Sequence, residues 1–265
     1  MLLDRIAAAP ISWGICDVPG WGHQLPARTV AQEMAGLGLA AAEFGPPGFL
    51  TADVLGAYGI RPLGGYVPLD AGGADPVGEA RRIAAEFLAQ GAPYFVLAPE
   101  GVPGDLKGLL DEVNAAVAGL GGICCLHPHV DTLIESAAQI AWALAETSVP
   151  LCLDTGHAHI GGADPVELAR SGRAVHVHLK DVSGEWLARL RGGTPYEEAV
   201  AGGLYVPLGQ GVVDIAGVVR ILEEAGYQGW YVLEQDVRLT GPSARPREDA
   251  EASLNFLRLI VRTKH

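Results

Sequence analysis

The sequence predicts a single α/β domain over residues 1–265, with the architecture of a (β/α)8 TIM barrel. Short apolar runs alternate with longer segments of helical periodicity from one end of the chain to the other, which indicates parallel strands joined by helices. The chain length of 265 residues suits eight such units. A doubly wound open sheet is the alternative, but it usually carries a GxGxxG turn after its first strand, where this chain reads WGICDVPGWGH.

The elements follow in order along the chain. The apolar runs predict eight strands, at Ala8–Trp13, Ala40–Phe44, Ile60–Val67, Tyr94–Ala98, Ile123–His127, Pro150–Asp154, Ala174–His178 and Trp230–Glu234. The periodic segments predict helices at Arg28–Leu37, Asp75–Ala89, Asp105–Leu120, Thr132–Ala145, Asp164–Arg170, Asp214–Ala225 and Pro246–Val261. Several of these begin with Asp or Thr, as helix N-caps do. The segment Val182–Val206 falls outside the alternation and predicts an extended loop over the mouth of the barrel, with a short helical stretch at Glu185–Leu190.

Composition limits the classes of partner. Lys and Arg number 18 against 31 acidic residues, a net charge of −13, which argues against nucleic acid because phosphate binding depends on basic residues. No apolar run of about 18 residues predicts a membrane span, and the first residues do not have the pattern of a secretory signal. The four cysteines lack CxxC spacing and predict buried free thiols in a reducing compartment, so we expect a cytoplasmic protein; they are Cys16, Cys124, Cys125 and Cys152.

Polar residues end many of the predicted strands, where a barrel has its catalytic mouth. They are Glu43 after the second strand, His127, His129 and Glu135 in CCLHPHVDTLIE, Asp154 and His157 in LCLDTGH, His178, Lys180 and Asp181 in VHVHLKD, and Glu234 and Asp236 in YVLEQD. Each alone could be a helix cap, an ion-pair partner or a core histidine. Because they recur on four consecutive strands and would be desolvated there, a shared metal ion is the better interpretation. Oxygen and nitrogen ligands without thiolate suit Mn²⁺, Mg²⁺, Co²⁺ or Fe²⁺ better than structural zinc.

These motifs resemble a known family. LDTGH, VHVHLKD and VLEQD, in this order, are similar to the xylose isomerase-like superfamily of sugar isomerases and epimerases, and APISWG, EFG and HPHVDTLIE look most like its inosose dehydratase branch. The resemblance implies a metal-dependent barrel with ligands Asp154, His178 and Glu234, and with His157 touching substrate beside the metal. Many members have a carboxylate on the fifth strand, where this chain has histidines. The fourth ligand is therefore Glu135 by preference, with His127 as the next choice and His129 the third.

The resemblance also implies an activity. The expected chemistry is proton abstraction next to the carbonyl of a sugar-like ketone, assisted by Mn²⁺ or Co²⁺, with Mg²⁺, Fe²⁺ or Zn²⁺ as other options. For dehydration of an inosose such as 2-keto-myo-inositol, the acid would be His157 or His127 and the base Glu135 or Glu234. The alternative is an isomerase or epimerase that interconverts ketoses through an enediolate. The DNA-repair branch of the superfamily fits the acidic balance poorly, and a non-catalytic barrel that binds a sugar would retain no metal.

Further residues are expected to line the pocket for a small polyol or ketose. They are Trp13, Glu43, Tyr66, His129 and Lys180. Trp13 could equally be a core aromatic, and Lys180 could pair with Asp181 instead of substrate. No cluster of arginines suggests a phosphate group on the substrate. A homo-oligomer is compatible with the fold, but no interface can be recognised in the sequence.

Overall fold

The computed structural model describes residues 2–262, which form a nearly closed barrel of nine parallel strands surrounded by helices. In chain order the strands are β1 (Ile6–Ala8), β2 (Ala41–Ala42), β3 (Arg61–Pro62), β4 (Gly64–Asp70), β5 (Tyr94–Glu100), β6 (Ile123–Leu126), β7 (Leu151–Asp154), β8 (Ala174–Leu179) and, after a separate antiparallel pair β9 (Asp181–Val182) and β10 (Tyr205–Val206), β11 (Tyr231–Leu233). The order in the sheet is β3-β2-β1-β11-β8-β7-β6-β5-β4.

A single residue, Leu63, links the two edges of the nearly closed sheet. The two edge strands, β3 and β4, are separated in the chain only by Leu63. The Leu63 N–H donates to the Ala42 carbonyl at 2.9 Å, and the Leu63 carbonyl accepts from the Tyr94 N–H at 2.8 Å. The two edges of the sheet are thus joined through one backbone position. The predicted barrel is confirmed, and the open doubly wound sheet is excluded.

The helices cover the outside of the barrel. They are α1 (Ala27–Gly36), α2 (Ala52–Gly56), α3 (Pro76–Ala89), α4 (Leu106–Gly119), α5 (Ala137–Glu146), α6 (Thr155–Ile160), α7 (Pro165–Arg170), α8 (Gly184–Arg191), α9 (Tyr196–Gly202), α10 (Ile215–Glu224) and α11 (Pro246–Arg262). Asp75, Asp105, Asp164 and Asp214 cap α3, α4, α7 and α10, each side chain accepting a backbone N–H of the first turn. None of the helices within residues 2–262 combines the length and the apolar composition that crossing a bilayer requires.

Three predicted elements differ most from the observed ones. The predicted strand Ile60–Val67 is divided into two strands, β3 and β4, which lie at opposite edges of the sheet. The first strand ends at Ala8, and Pro10–Trp13 form a 3-10 helix instead of continuing it, because proline lacks the N–H that a ladder needs and suits the first helical turn. The predicted helix Thr132–Ala145 corresponds to α5, which begins at Ala137 and not at Thr132. Ser136 and Gln139 form a capping box there, which fixes the start of the helix.

The hydrophobic core lies both inside the barrel and between strands and helices. Val96, Cys125 and Cys152 pack together as one buried cluster, while Cys124 packs in a second cluster with residues of the surrounding helices. The four cysteines are free thiols, three of them buried and Cys16 half-buried. Burial of the three thiols agrees with the prediction, and that of Cys16 is only partial.

The segment after β8 is folded and is not an extended loop. Asp181–Val206, which we call the insertion, consists of β9, α8, α9 and β10. Asp181 is buried, and its carboxylate accepts four backbone N–H groups at 2.9–3.1 Å, from Val182, Gly209, Gly211 and Val213. This carboxylate therefore fixes both the beginning of the insertion and the chain that follows it.

Candidate metal centre and catalytic mouth

Four side chains from four strand ends converge at the carboxyl end of the barrel. Asp154 ends β7, His178 lies near the end of β8, and His127 and Glu234 directly follow β6 and β11. One donor atom from each lies within 4.8 Å of the others. The first three are buried, and the Glu234 side chain is 11% exposed. Parallel strands end at one rim of the barrel, so residues far apart in the chain meet here.

The donor atoms of this group lack hydrogen bonds, although charged neighbours lie close to three of them. Within residues 2–262, His127 Nε2, Asp154 Oδ2, His178 Nδ1 and Glu234 Oε2 are buried and make no hydrogen bond. His178 Nδ1 lies 2.7 Å from Glu234 Oε2 without the alignment of a hydrogen bond. Buried polar atoms without partners are costly, and two imidazoles with two carboxylates form a ligand set for divalent transition metals. The residues present therefore fit a divalent metal ion.

Glu43 lies behind His178 and not in the mouth. Its Oε1 accepts from His178 Nε2 at 2.9 Å and from His176 Nε2 at 2.7 Å, and the residue is buried. Burial alone would raise the pKa of Glu43, but the charge of His178 and the hydrogen bonds from both imidazoles outweigh it, so the pKa lies well below its ordinary range. Glu43 thus orients His178, as carboxylates commonly do for metal-binding histidines. The predicted contact of Glu43 with substrate is not supported.

Two further groups of potential ligands share His178. In one, Glu43 Oε1 already accepts hydrogen bonds from the Nε2 atoms of both His176 and His178, so these atoms are engaged with one another. In the other, Cys152 accompanies His127 and His178, but burial raises the pKa of the Cys152 thiol well above its ordinary value. A thiol must lose its proton to bind a metal, so this set is the poorer one.

Glu135 lies outside the metal group. Its Oε2 accepts from the N–H of Asp131 at 3.2 Å, and its side chain is half-buried. Asp131 has a positive φ of 63°, and Glu135 is absent from the group of converging donor atoms. The preferred fourth ligand and base, Glu135, is therefore not brought to the site, and His127, the second choice, occupies that position.

Aromatic side chains form a wall of the mouth. The ring centroids of His129 and His157 are 4.0 Å apart, and Tyr66 lies 5.5 Å from His129 and 5.7 Å from His127. Burial, followed by the charges of His127 and Lys180, lowers the pKa of His129 to about 3. Tyr66 and His129 are half-buried, so they border the open side of the site, where their contact with substrate stays a prediction.

Lys180 is buried among the groups of the site. Its Nζ lies 2.9 Å from Asp236 Oδ1, 2.9 Å from His157 Nε2, 3.3 Å from Glu234 Oε2 and 3.5 Å from Asp154 Oδ2. Burial alone would lower the pKa of Lys180, but the charges of Asp154, Asp236 and Glu234 raise it well above its ordinary value. Lys180 thus remains an ammonium ion in contact with the site, and the alternative pairing with Asp181 is not formed.

The sequence interpretation missed two residues of the mouth. Tyr196 and Tyr205 lie on the insertion, at the start of α9 and in β10. Tyr205 lies 3.5 Å from His157 Nδ1, and Tyr196 donates to Asp236 Oδ2 at 3.3 Å. Nothing in the local sequence indicates these contacts, because they depend on how the insertion folds back over the barrel.

Trp13 is a core residue. It is fully buried, and its Nε1 donates to Glu33 of α1 at 2.7 Å. The 3-10 helix that replaces the end of the predicted first strand turns the indole toward α1 instead of the mouth. The predicted stacking of a sugar on Trp13 is therefore wrong, and the alternative of a core aromatic is the one observed.

Comparison with known proteins agrees with this architecture. The family model described as xylose isomerase-like TIM barrel matches residues 52–260. Inosose dehydratase of Geobacillus kaustophilus is 31% identical over 88% of this chain and 87% of its own. Among solved structures, L-ribulose 3-epimerase has a TM-score of 0.67 at 17% identity, covering 98% of this chain and 95% of its own. The IolI protein with a bound zinc atom also has a TM-score of 0.67, at 15% identity and 98% coverage of both chains. The two structures share the fold, and together with the family model they show that this chain belongs to the xylose isomerase-like TIM barrel family.

Proposed function

We propose that this protein is a divalent-metal-dependent lyase that removes a proton next to the carbonyl of a sugar-like ketone and then eliminates water. The observation that carries the proposal is the convergence of four buried donor atoms without hydrogen bonds, on His127, Asp154, His178 and Glu234. The proposed substrate is an inosose such as 2-keto-myo-inositol, because a relative at 31% identity over most of the chain is an inosose dehydratase.

The residues of the site have separate roles in this proposal. A bound Mn²⁺, Co²⁺ or similar ion would supply Lewis acidity toward the substrate carbonyl. Glu234 is the base, since its side chain is 11% exposed whereas that of Asp154 is fully buried. Lys180 is the hydrogen-bond donor and proton source for the departing hydroxyl, and His157 positions that ammonium by accepting a hydrogen bond from it through Nε2.

A sugar isomerase or epimerase is the second candidate. Its first step is the same, and L-ribulose 3-epimerase has the same fold. Epimerisation returns a proton to the opposite face of the carbon, which requires acid–base groups on both faces. Here the fourth donor is an imidazole and not a second accessible carboxylate, which supports dehydration.

The products distinguish the two reactions. Protein loaded with Mn²⁺ or Co²⁺ is incubated in D₂O with 2-keto-myo-inositol and a panel of ketoses, and the products are followed by proton NMR. We expect loss of water to give a diketone. Deuterium in an isomer or epimer, without a dehydrated product, would instead support the isomerase. Failure to convert any substrate, with no metal retained, would contradict both.

Removing one donor tests the metal site directly. Asp154→Ala and Glu234→Ala are expected to lose bound metal and all measurable turnover while the circular dichroism spectrum stays that of the wild type. Glu135→Ala is the matched control, because Glu135 lies outside the group and should keep its metal. Metal content by elemental analysis and turnover are measured together. Near-normal activity of metal-depleted Glu234→Ala would refute the proposal.

A further inference from the structure

Five side chains form a closed ring of polar contacts beside the metal group. Lys180 Nζ lies 2.9 Å from His157 Nε2, and His157 Nδ1 lies 3.5 Å from the Tyr205 hydroxyl. The Tyr205 and Tyr196 hydroxyls are 2.8 Å apart, Tyr196 donates to Asp236 Oδ2 at 3.3 Å, and Asp236 Oδ1 returns to Lys180 Nζ at 2.9 Å. We call this the five-residue ring. The barrel contributes three of its members, and the insertion contributes the two tyrosines.

The chemistry of the groups gives the ring one direction of hydrogen bonding. A lysine ammonium can only donate, so His157 Nε2 must accept and carries no proton. The proton of the neutral imidazole is then on Nδ1, which donates to the Tyr205 oxygen. Tyr205 in turn donates to Tyr196, and Tyr196 donates to Asp236. The tautomer of His157 is thus determined by its neighbours in the ring.

The ring borders the metal group at Lys180. The ammonium that begins the ring also lies 3.3 Å from Glu234 Oε2 and 3.5 Å from Asp154 Oδ2. The aromatic side chain of Tyr205 also covers this ammonium, and its ring centroid lies 4.8 Å from Lys180 Nζ. A hydroxyl on the insertion therefore influences where Lys180 and His157 point, although neither tyrosine belongs to the metal group.

We propose that Tyr196 and Tyr205 are positioning residues, which hold His157 in its Nδ1–H tautomer and direct Lys180 toward the substrate. The inference rests on the proposed function of the site. It assigns the insertion a role in proton delivery to the substrate, and not only that of a cover. The two tyrosines act as one unit, because the loss of either hydroxyl opens the same ring.

Single and double phenylalanine variants test this unit. Tyr196→Phe and Tyr205→Phe are each expected to lower kcat about tenfold, the effect of roughly one hydrogen bond, with a smaller change in KM and with Co²⁺ affinity unchanged. The double variant should be no slower than the slower single variant, since the ring is already open. Losses that multiply in the double variant, or that appear in KM alone, would show independent substrate contacts and overturn the inference.

A matched control separates the ring from general effects of losing a buried hydroxyl. Tyr227→Phe removes a hydroxyl that donates to the Trp230 carbonyl at 2.9 Å, before β11 and far from its carboxyl end. Its kcat should equal that of the wild type. A tenfold loss in this variant as well would mean that the substitutions act through stability, which would also overturn the inference.

A spectroscopic readout is independent of turnover. In zinc-loaded, ¹⁵N-histidine-labelled protein, long-range ¹H–¹⁵N spectra distinguish the protonated nitrogen of each imidazole, and His157→Gln identifies the signals of His157. We expect Nδ1–H in the wild type and a mixture of tautomers in Tyr205→Phe. An unchanged His157 tautomer in Tyr205→Phe would contradict the inference. If the wild type shows the Nδ1–H tautomer but converts no ketone, the proposed function fails and the positioning stands.

Discussion

His178 connects the metal group to the interior of the barrel. Its Nδ1 faces the other donor atoms, and its Nε2 donates to Glu43 Oε1. The same oxygen accepts from His176, two residues earlier on β8. The hydrogen bond from Nε2 to Glu43 holds His178 in this orientation independently of any metal ion at Nδ1. Metal affinity should therefore depend on a carboxylate that does not touch the metal.

Glu43→Ala is expected to weaken Co²⁺ binding about 10–100-fold, because the orientation of His178 is lost. Glu43→Gln should lose less, since its amide oxygen can still accept a hydrogen bond. The measurement is the visible absorption of Co²⁺ during titration of the metal-free protein. Glu33→Gln, which changes a carboxylate bound to Trp13, is the control. Wild-type affinity in Glu43→Ala would refute this role of Glu43.

Three members of the converging group could be predicted from the sequence, but the fourth could not. Asp154, His178 and Glu234 end apolar strands, so the barrel geometry alone brings them to one rim. The choice between His127 and Glu135 depended on the path of the chain after β6. That path includes a positive φ at Asp131, whose N–H binds the Glu135 carboxylate, and the local sequence does not specify this turn.

At the level of elements, helix α4 holds the loop that leads into β7. Asp111 Oδ1 accepts from the backbone N–H and the hydroxyl of Ser148, both at 2.8 Å, and Oδ2 accepts from Lys107. The hydrogen bond from Lys107, followed by those from Ser148, lowers the pKa of Asp111 from 3.8 to about 2. A carboxylate with a lowered pKa stabilises the fold above its unfolded pKa and loses that effect as the pH falls toward 2.

Asp111→Asn should lower the free energy of unfolding at pH 7, by less than about 1 kcal/mol because the group is close to solvent. The difference from the wild type should shrink between pH 4 and pH 2, where Asp111 of the wild type becomes protonated. Urea denaturation of metal-free protein across this pH range is the measurement. Glu112→Gln, an exposed neighbour on α4, is the control. A difference that persists unchanged at pH 2 would contradict this explanation.

The regular elements were easier to predict than the insertion. The predicted strands Tyr94–Ala98 and Pro150–Asp154 lie within one or two residues of β5 and β7, because apolar runs bounded by turns leave few alternatives. The insertion has short helices and a two-residue ribbon, which carry little periodicity. Tyr196 and Tyr205 became part of the site only through its tertiary fold.

At the level of the whole molecule, the four proposed metal donors belong to the ends of β6, β7, β8 and β11, four adjacent strands of the barrel. A ligand that binds only the folded state stabilises it by mass action, by about 2.7 kcal/mol at a concentration 100 times the Kd. Metal binding to this group would therefore stabilise the folded barrel, where it joins four of the nine strands.

The midpoint temperature of unfolding should rise as Mn²⁺ or Co²⁺ is added to metal-free protein. Subsequent addition of a chelator should reverse the rise. Differential scanning calorimetry measures this shift. Asp154→Ala should show no shift at the same metal concentrations, because one of the four donors is missing. An equal shift in this variant would place the stabilising metal elsewhere on the protein.

The carboxylate of Asp181 has a consequence for how this protein can diverge. It holds the beginning of the insertion and the chain that follows it through backbone amides alone, and a side chain at Gly211 would meet its Oδ1 at 2.2 Å. These contacts use backbone N–H groups, which do not depend on the side chains. The residues between Val182 and Gly209 can therefore be replaced together without loss of these hydrogen bonds. A chimaera that keeps Asp181, Gly209 and Gly211 but takes its intervening segment from a relative should retain the metal ligands of the barrel. The residues that cover the mouth could then change in one short stretch of chain while the strand ends of the barrel stay the same.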